Sequence, residues 1–391
     1  MVNEIGYLYG SQRSAIRELF EYGNRMRETV GADRVFDFSL GNPSVPAPEA
    51  VKMAFRDVIA ETDPVLLHGY TSAQGSAVTR RAIASVMTAR SGMLIGEDNL
   101  YLTCGAAASL TACLGALTVD EHSEFLAIAP YFPEYKVFAE VLGASLKVVP
   151  ADETAFQIHL SALEAMLTPH TQGIIINSPN NPTGVVYSEE TLRALAALLT
   201  AKSREYGHPI YLISDEPYRE LVYGDRTPAF LPHLYPDTLI CYSYSKSFSL
   251  PGERIGYVCV PDCVTDSKAV YAAVAGTARR FGYVCAPSLL QAVVTRCADV
   301  LPDLTVYRRN RDLLYTSLTG MGYECVHPDG AFYLFVRSPE GSGADFSARA
   351  KRENCLVVPG AGFGAKDYVR IAYCVETAMI ERALPTFGKL I

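Results

Sequence analysis

Apolar positions along the chain follow two spacings. Ile16, Leu19, Phe20 and Met26, set among Arg and Glu, predict an amphipathic helix over 14–29, and another helix is expected over 77–89. Val35 to Gly41 alternates as a strand does, and Asn42 to Pro48 is a proline-rich connector. Short continuous apolar runs then recur at Leu100–Thr103, Phe125–Ala129, Gly173–Ile176, Ile210–Ile213, Leu239–Cys241 and Ile255–Val260. Each run is short enough for a strand and apolar enough to be covered on both faces, as in an open parallel sheet flanked by helices. Helical stretches follow to Arg280, and a long helix is predicted to carry Gln291, Tyr307 and Arg311. Beyond Gly322 the runs shorten (331–336, 356–358, 369–373), which predicts a separate small α+β unit.

Three of the central runs end in polar residues. Asn177-Ser-Pro-Asn-Asn181-Pro-Thr-Gly184, Asp215-Glu-Pro-Tyr218 and Ser243-Tyr-Ser245-Lys246 each follow a predicted strand, and open α/β sheets bind ligands outside the carboxyl ends of their strands. Ser243, Ser245 and Arg254 combine small donors with a forked cation, a set that suits phosphate oxygens. Gly105, Ala106 and Ala107 open a helix with residues small enough for backbone N–H groups to approach an anion. Lys246 beside such a phosphate is free to form an imine. Phe132, at the end of the run Phe125–Ala129, can lie face to face with an aromatic ring, with Tyr131 as the alternative.

With 49% hydrophobic and 19% charged residues in 391, the chain can bury a large core and is long enough for two or three domains. Its 34 basic residues against 42 acidic ones give a net charge of −8, with no basic block to hold nucleic acid. The ten cysteines are scattered without Cys-x-x-Cys spacing, so reduced thiols and no metal are expected. The first residues show no basic start followed by an apolar stretch, and no run approaches ~18 apolar residues, so a cytoplasmic protein without a membrane anchor is expected.

From the Gly-Asn-Pro at 41–43 to the Val-Arg-Ile-Ala-Tyr at 369–373, these motifs and their order resemble the pyridoxal-phosphate (PLP) enzymes of fold type I, the class I and II aminotransferases in particular. The resemblance implies an α/β PLP-transferase fold: an N-terminal segment over 1–40, a large cofactor domain over 41–285 and a small domain over 286–391. It implies amino transfer between an L-amino acid and a 2-oxo acid, with Lys246 as the covalent anchor and proton shuttle. Asp215 would pair with the pyridine nitrogen, while Tyr218 and Asn181 would donate to the ring's phenolic oxygen. Gly41, Asn42, Asn181 and Arg370 would meet the substrate carboxylate. Tyr70, in His68-Gly69-Tyr70, would reach across a homodimer to the partner's cofactor phosphate.

The substrate side chain is read from two opposed features. Some aspartate-using members carry a lysine near position 107, where this chain has alanine. Arg280-x-x-Tyr283 instead resembles the stretch from which another aspartate subgroup sends an arginine across the interface. A carbon–sulfur lyase on the same scaffold would keep every cofactor residue, so the two chemistries stay open on motifs alone. A DNA-binding regulator would need an extra domain before Phe36. A dinucleotide oxidoreductase would need a Gly-x-Gly-x-x-Gly turn, which Val358-Pro-Gly-Ala-Gly-Phe-Gly364 does not supply.

Overall fold

The computed structural model describes residues 1–11, 14–224 and 226–391. Its centre is a seven-stranded sheet of β1 (Leu100–Thr103), β2 (Glu124–Ile128), β3 (Ser145–Val149), β4 (Thr171–Asn177), β5 (Tyr211–Asp215), β6 (Thr238–Ser243) and β7 (Gly256–Cys259). The spatial order is β1-β7-β6-β5-β4-β2-β3, and only β7 runs antiparallel to its neighbours.

The apolar runs are continuous because helices cover both faces. Ile175, Ile213 and Leu239 pack against Leu110, Cys113 and Leu114 of the helix Ala106–Leu117 and against Val270 and Val274 of the helix Ser267–Arg280. Ile174, Ile176 and Leu212 point the other way, onto Leu192, Leu195 and Leu199 of the helix Glu189–Tyr206. Full burial of each such side chain contributes about 1.5–3 kcal/mol. Alternation along β4 therefore fixes its register, and a slip by one residue would exchange the two faces.

That register sets up the site. Asn177 at the end of β4 lies beside Asp215 at the end of β5, which lies beside Cys241 of β6. The polar ends of three adjacent strands thus share one rim.

A second sheet, antiparallel, runs in the order Val358–Pro359, β9 (Tyr368–Ala372), β8 (Tyr333–Arg337), Cys325–Val326. It packs with the helices Thr305–Gly320, Gly343–Arg352 and Thr377–Leu390 around Leu314, Phe346 and Phe387.

Two expected elements differ. The strand predicted over Val35–Gly41 pairs only at Phe36–Asp37, in parallel with Cys355–Leu356, because the following residues turn toward the cavity described below. The long helix divides into Ser288–Cys297 and Thr305–Gly320. Pro302 lies between them, and Asp303 Oδ1 accepts the backbone N–H of Thr305 at the start of the second. Proline cannot extend a helix through its own N–H, and the aspartate satisfies one otherwise open at the new helix's start.

Candidate active site

The rim opens into a cavity of about 300 Å3, enclosed partly by the second sheet. Of the expected site residues, Gly41, Ala106, Ala107, Phe132, Asn181, Asp215, Tyr218, Ser243, Ser245, Lys246, Arg254 and Arg370 line it.

One end of the cavity gathers anion-binding groups. Gly105 has φ +89, a backbone shape that favours glycine, and a Cβ there would stand 2.4 Å from Arg254 Nη2. The glycine therefore lets the guanidinium reach the first turn of the helix Ala106–Leu117, whose N–H groups and dipole favour an anion. Arg254 Nη1 donates to Ser245 Oγ at 3.1 Å and to the carbonyl of Pro251 at 2.9 Å. The Ser243 and Ser245 hydroxyls are 2.7 Å apart.

Lys246 sits on the short turn Tyr244–Ser247 directly after β6. Its Nζ donates to the carbonyl of Gly41 at 2.7 Å and lies 5.4 Å from the Phe332 ring. Burial, aided by the positive charges of Arg254 and Arg370, pushes its ammonium down to about 8 against the opposing effect of Cys374. A lysine at that value keeps an appreciable fraction of neutral amine near pH 7, which an arginine would not.

Asp215 is buried, and Tyr135 donates to its Oδ2 at 2.5 Å. Desolvation raises its carboxyl to about 7 despite that bond. Among the described residues its Oδ1 has no hydrogen-bond partner. An unpaired carboxylate oxygen in a dry wall is costly, and a cationic ring N–H would relieve that cost. The Asp215 backbone carbonyl is held by Asn177 Nδ2 at 2.8 Å, and Asn177 Oδ1 accepts the Asn181 N–H at 2.7 Å.

Arg370, on β9, is 2% exposed. Its Nη1 donates to Asn181 Oδ1 at 3.0 Å and its Nη2 to the Ser39 carbonyl at 2.6 Å, while Nε has no partner among the described residues. A buried guanidinium with an open N–H edge suits a carboxylate. An anion cradle, a neutralisable amine, an orphaned carboxylate and a carboxylate grip, gathered in one cavity, match the parts of a PLP molecule with its amino-acid substrate.

Three expected residues lie elsewhere. Asn42 is exposed and does not line the cavity, because the carbonyl of Gly41 next to it is the group turned inward. Tyr70 is 92% exposed on a loop pinned at Thr71 and Ser76 by the buried Gln291. Arg280 is exposed, as is Arg279, at the end of its helix. Sequence reading assigned no role to Asn177, which opens a quoted motif, nor to Tyr135, three residues beyond Phe132, nor to Tyr333 on β8, which also lines the cavity.

The chain belongs to the family "Aminotransferase class I and II", which it matches over residues 33–387, and it is a PLP-dependent aminotransferase. Among its relatives is a probable aspartate/prephenate aminotransferase of Thermus aquaticus, 31% identical over 357 residues that make up 89% of either chain. An amino transferase from Eubacterium rectale superposes with a TM-score of 0.98 at 54% identity, covering 100% of this chain and 98% of the other. The aspartate aminotransferase of Thermus thermophilus solved with maleate gives a TM-score of 0.86 at 26% identity, with 100% of both chains covered. Among the described residues no helix is long and apolar enough to cross a membrane.

Proposed function

We propose that this cavity holds PLP covalently on Lys246 and moves an amino group from a dicarboxylic L-amino acid to a 2-oxo acid, in a cytoplasmic homodimer with shared sites. The orphaned Oδ1 of Asp215, on a residue that lines the same cavity as the anion-binding Ser243, Ser245 and Arg254, is the observation that carries the reading. PLP, when bound, supplies the electron sink that takes up charge as a bond to Cα breaks.

Asp215 would hold the ring nitrogen protonated; Tyr135 keeps its carboxylate in place, and Asn177 holds its backbone carbonyl. Gly105, Ala106, Ala107, Ser243, Ser245 and Arg254 grip the phosphate. Phe132 covers the ring, and Tyr218 and Asn181 hydrogen-bond its phenolic oxygen. Arg370 takes the substrate's α-carboxylate through its open Nε edge. Lys246 would hold the cofactor through Nζ and, once free, would accept and return the proton at the substrate Cα, its pKa of about 8 leaving part of the amine neutral near pH 7.

The side-chain preference follows from counting cations. Among the described lining residues they are Lys246, Arg254 and Arg370, and each already has a task. A distal carboxylate therefore requires a further cation, and the exposed Arg280 of a second copy is the candidate, as Tyr70 is for the phosphate. Arg280→Ala lowers kcat/KM for L-aspartate by roughly 10²-fold or more and leaves L-alanine nearly unchanged, because only the first substrate loses a desolvated ion pair. Equal losses for both substrates, or none, would remove Arg280 from the site. We also place the division between large and small domains near Pro302, beyond the expected residue 285. The helix Ser288–Cys297 supports this, since Leu290, Val293 and Val294 pack with Val51, Ile83 and Tyr257 on the large sheet's side.

The functional reading is tested by adding single amino acids to the purified protein and following the visible absorbance of its bound cofactor. L-aspartate or L-glutamate converts it to the amine form, and a 2-oxo acid restores it. Conversion by no amino acid, or continued turnover beyond one product per site without any 2-oxo acid acceptor, would contradict amino transfer at this site.

A further inference from the structure

Tyr333 opens β8, is 2% exposed and is one of the residues that line the cavity. Its hydroxyl lies 2.9 Å from the hydroxyl of Tyr218, which is its only hydrogen-bond partner among the described residues. The two rings meet edge to face, with centroids 5.8 Å apart and planes at 80°. Such an arrangement fixes both rings and leaves only the hydroxyl protons free to turn.

Two further contacts lock Tyr333 itself. The Arg370 guanidinium lies 4.6 Å from the centre of the Tyr333 ring, with the Phe363 ring 5.0 Å from the same guanidinium. On the other side stands Gly41, where a Cβ would come within 2.0 Å of the Tyr333 oxygen. The absence of a side chain at 41 is thus what allows this hydroxyl its position. The same Gly41 carbonyl accepts Lys246 Nζ, so the amine, the glycine and the tyrosine pair are packed as one group.

Two facing hydroxyls hold two protons but only one hydrogen bond. If Tyr218 donates to Tyr333, its proton is spent inside the pair. If Tyr333 donates, Tyr218 keeps its own proton for an acceptor in the cavity, and accepting a bond makes it a stronger donor. Only the second arrangement uses both protons once an oxyanion is present.

We propose that Tyr333 is a positioning residue for amino transfer, its hydroxyl donating to that of Tyr218 so that the Tyr218 proton points at the phenolic oxygen of the bound cofactor. The inference rests on the cofactor reading given above. The charged and titratable groups facing the pair are Asp215, Arg370, Cys374 and, through Phe332, Lys246. None of them is altered by the substitutions that follow.

The test is the pH titration of the visible absorbance of bound cofactor, with a double-mutant cycle. A donor to the phenolic oxygen favours the deprotonated chromophore, in which that oxygen has no internal proton partner, so a weaker donor raises the midpoint. Tyr333→Phe keeps the ring under Arg370 and raises the midpoint by about half a pH unit, the size expected for losing part of one hydrogen bond. Tyr218→Phe raises it further. Adding Tyr333→Phe to Tyr218→Phe produces no additional shift, because the residue acts through Tyr218. A structural effect on stability alone would lower Tm and leave the midpoint where it was. An unmoved midpoint in Tyr333→Phe, or a full second shift in the double variant, overturns this inference while the cofactor reading stands. Native protein without the absorbance band overturns the cofactor reading and this inference with it.

Discussion

Lys246→Ala loses amino transfer by ~10⁴-fold or more, the upper range for removal of a general acid–base group. The residue is asked for two things at once, and alanine supplies neither. In the proposed reading it would anchor the cofactor through Nζ and move the proton at Cα. No neighbouring amine can take over: the other cations on the cavity wall are the arginines at 254 and 370, which stay protonated. The variant folds, since the bond it removes is one side-chain contact to the Gly41 carbonyl. It still binds cofactor noncovalently through the Gly105–Arg254 cradle and Asp215. Single-turnover rates on the reconstituted variant measure the loss, and a rate within tenfold of native protein would show that another group carries the proton.

Asp215→Asn is expected to have the next largest effect, a fall in rate of ~10²–10³-fold with the cofactor still covalently attached. The carboxylate is buried with one oxygen unpaired among the described residues, and desolvation, with a contribution from the Glu216 charge and against the Tyr135 hydrogen bond, raises it to about 7. A protonated ring nitrogen at Oδ1 would return it to its ionised form, and the carboxylate in turn would hold the proton on the ring. Asparagine keeps the shape and can still accept from Tyr135, but it provides no charge to stabilise that proton. Absorbance should therefore report bound cofactor, while stopped-flow measurement of the half-reaction reports the loss. Retention of more than a tenth of the native rate would mean that Asp215 does not set the state of the ring.

Much of this was legible before any coordinates, and the reason is local. Strands covered on both faces read as unbroken apolar runs, so the abrupt appearance of Asn177, Asp215 and Lys246 after such runs marks the rim directly. The anion-binding end was legible only as residue types, a glycine before a helix and an arginine after a strand; the steric relation between Gly105 and Arg254, a Cβ 2.4 Å from the guanidinium, is visible only in the fold.

What escaped is set by contacts distant in sequence. Tyr135 reaches Asp215 across 80 residues and Tyr333 reaches Tyr218 across 115, and nothing in the local pattern of either tyrosine distinguishes it from core packing. Asn42 failed for the opposite reason: a Gly-Asn-Pro turn can present either backbone or side chain, and here the Gly41 carbonyl faces the site. The break was legible in principle, because Pro302 cannot sit inside a continuous helix and Asp303 accepts the N–H of Thr305, where the next one starts.

The most direct test of the central claim is to reduce the purified protein with borohydride, digest it and locate the cofactor by peptide mass. The account predicts a reduced pyridoxyl phosphate adduct on the peptide containing Lys246, and none after a saturating amino-acid substrate has displaced the lysine. An adduct on any other lysine, or no adduct in protein that carries out amino transfer, would contradict it.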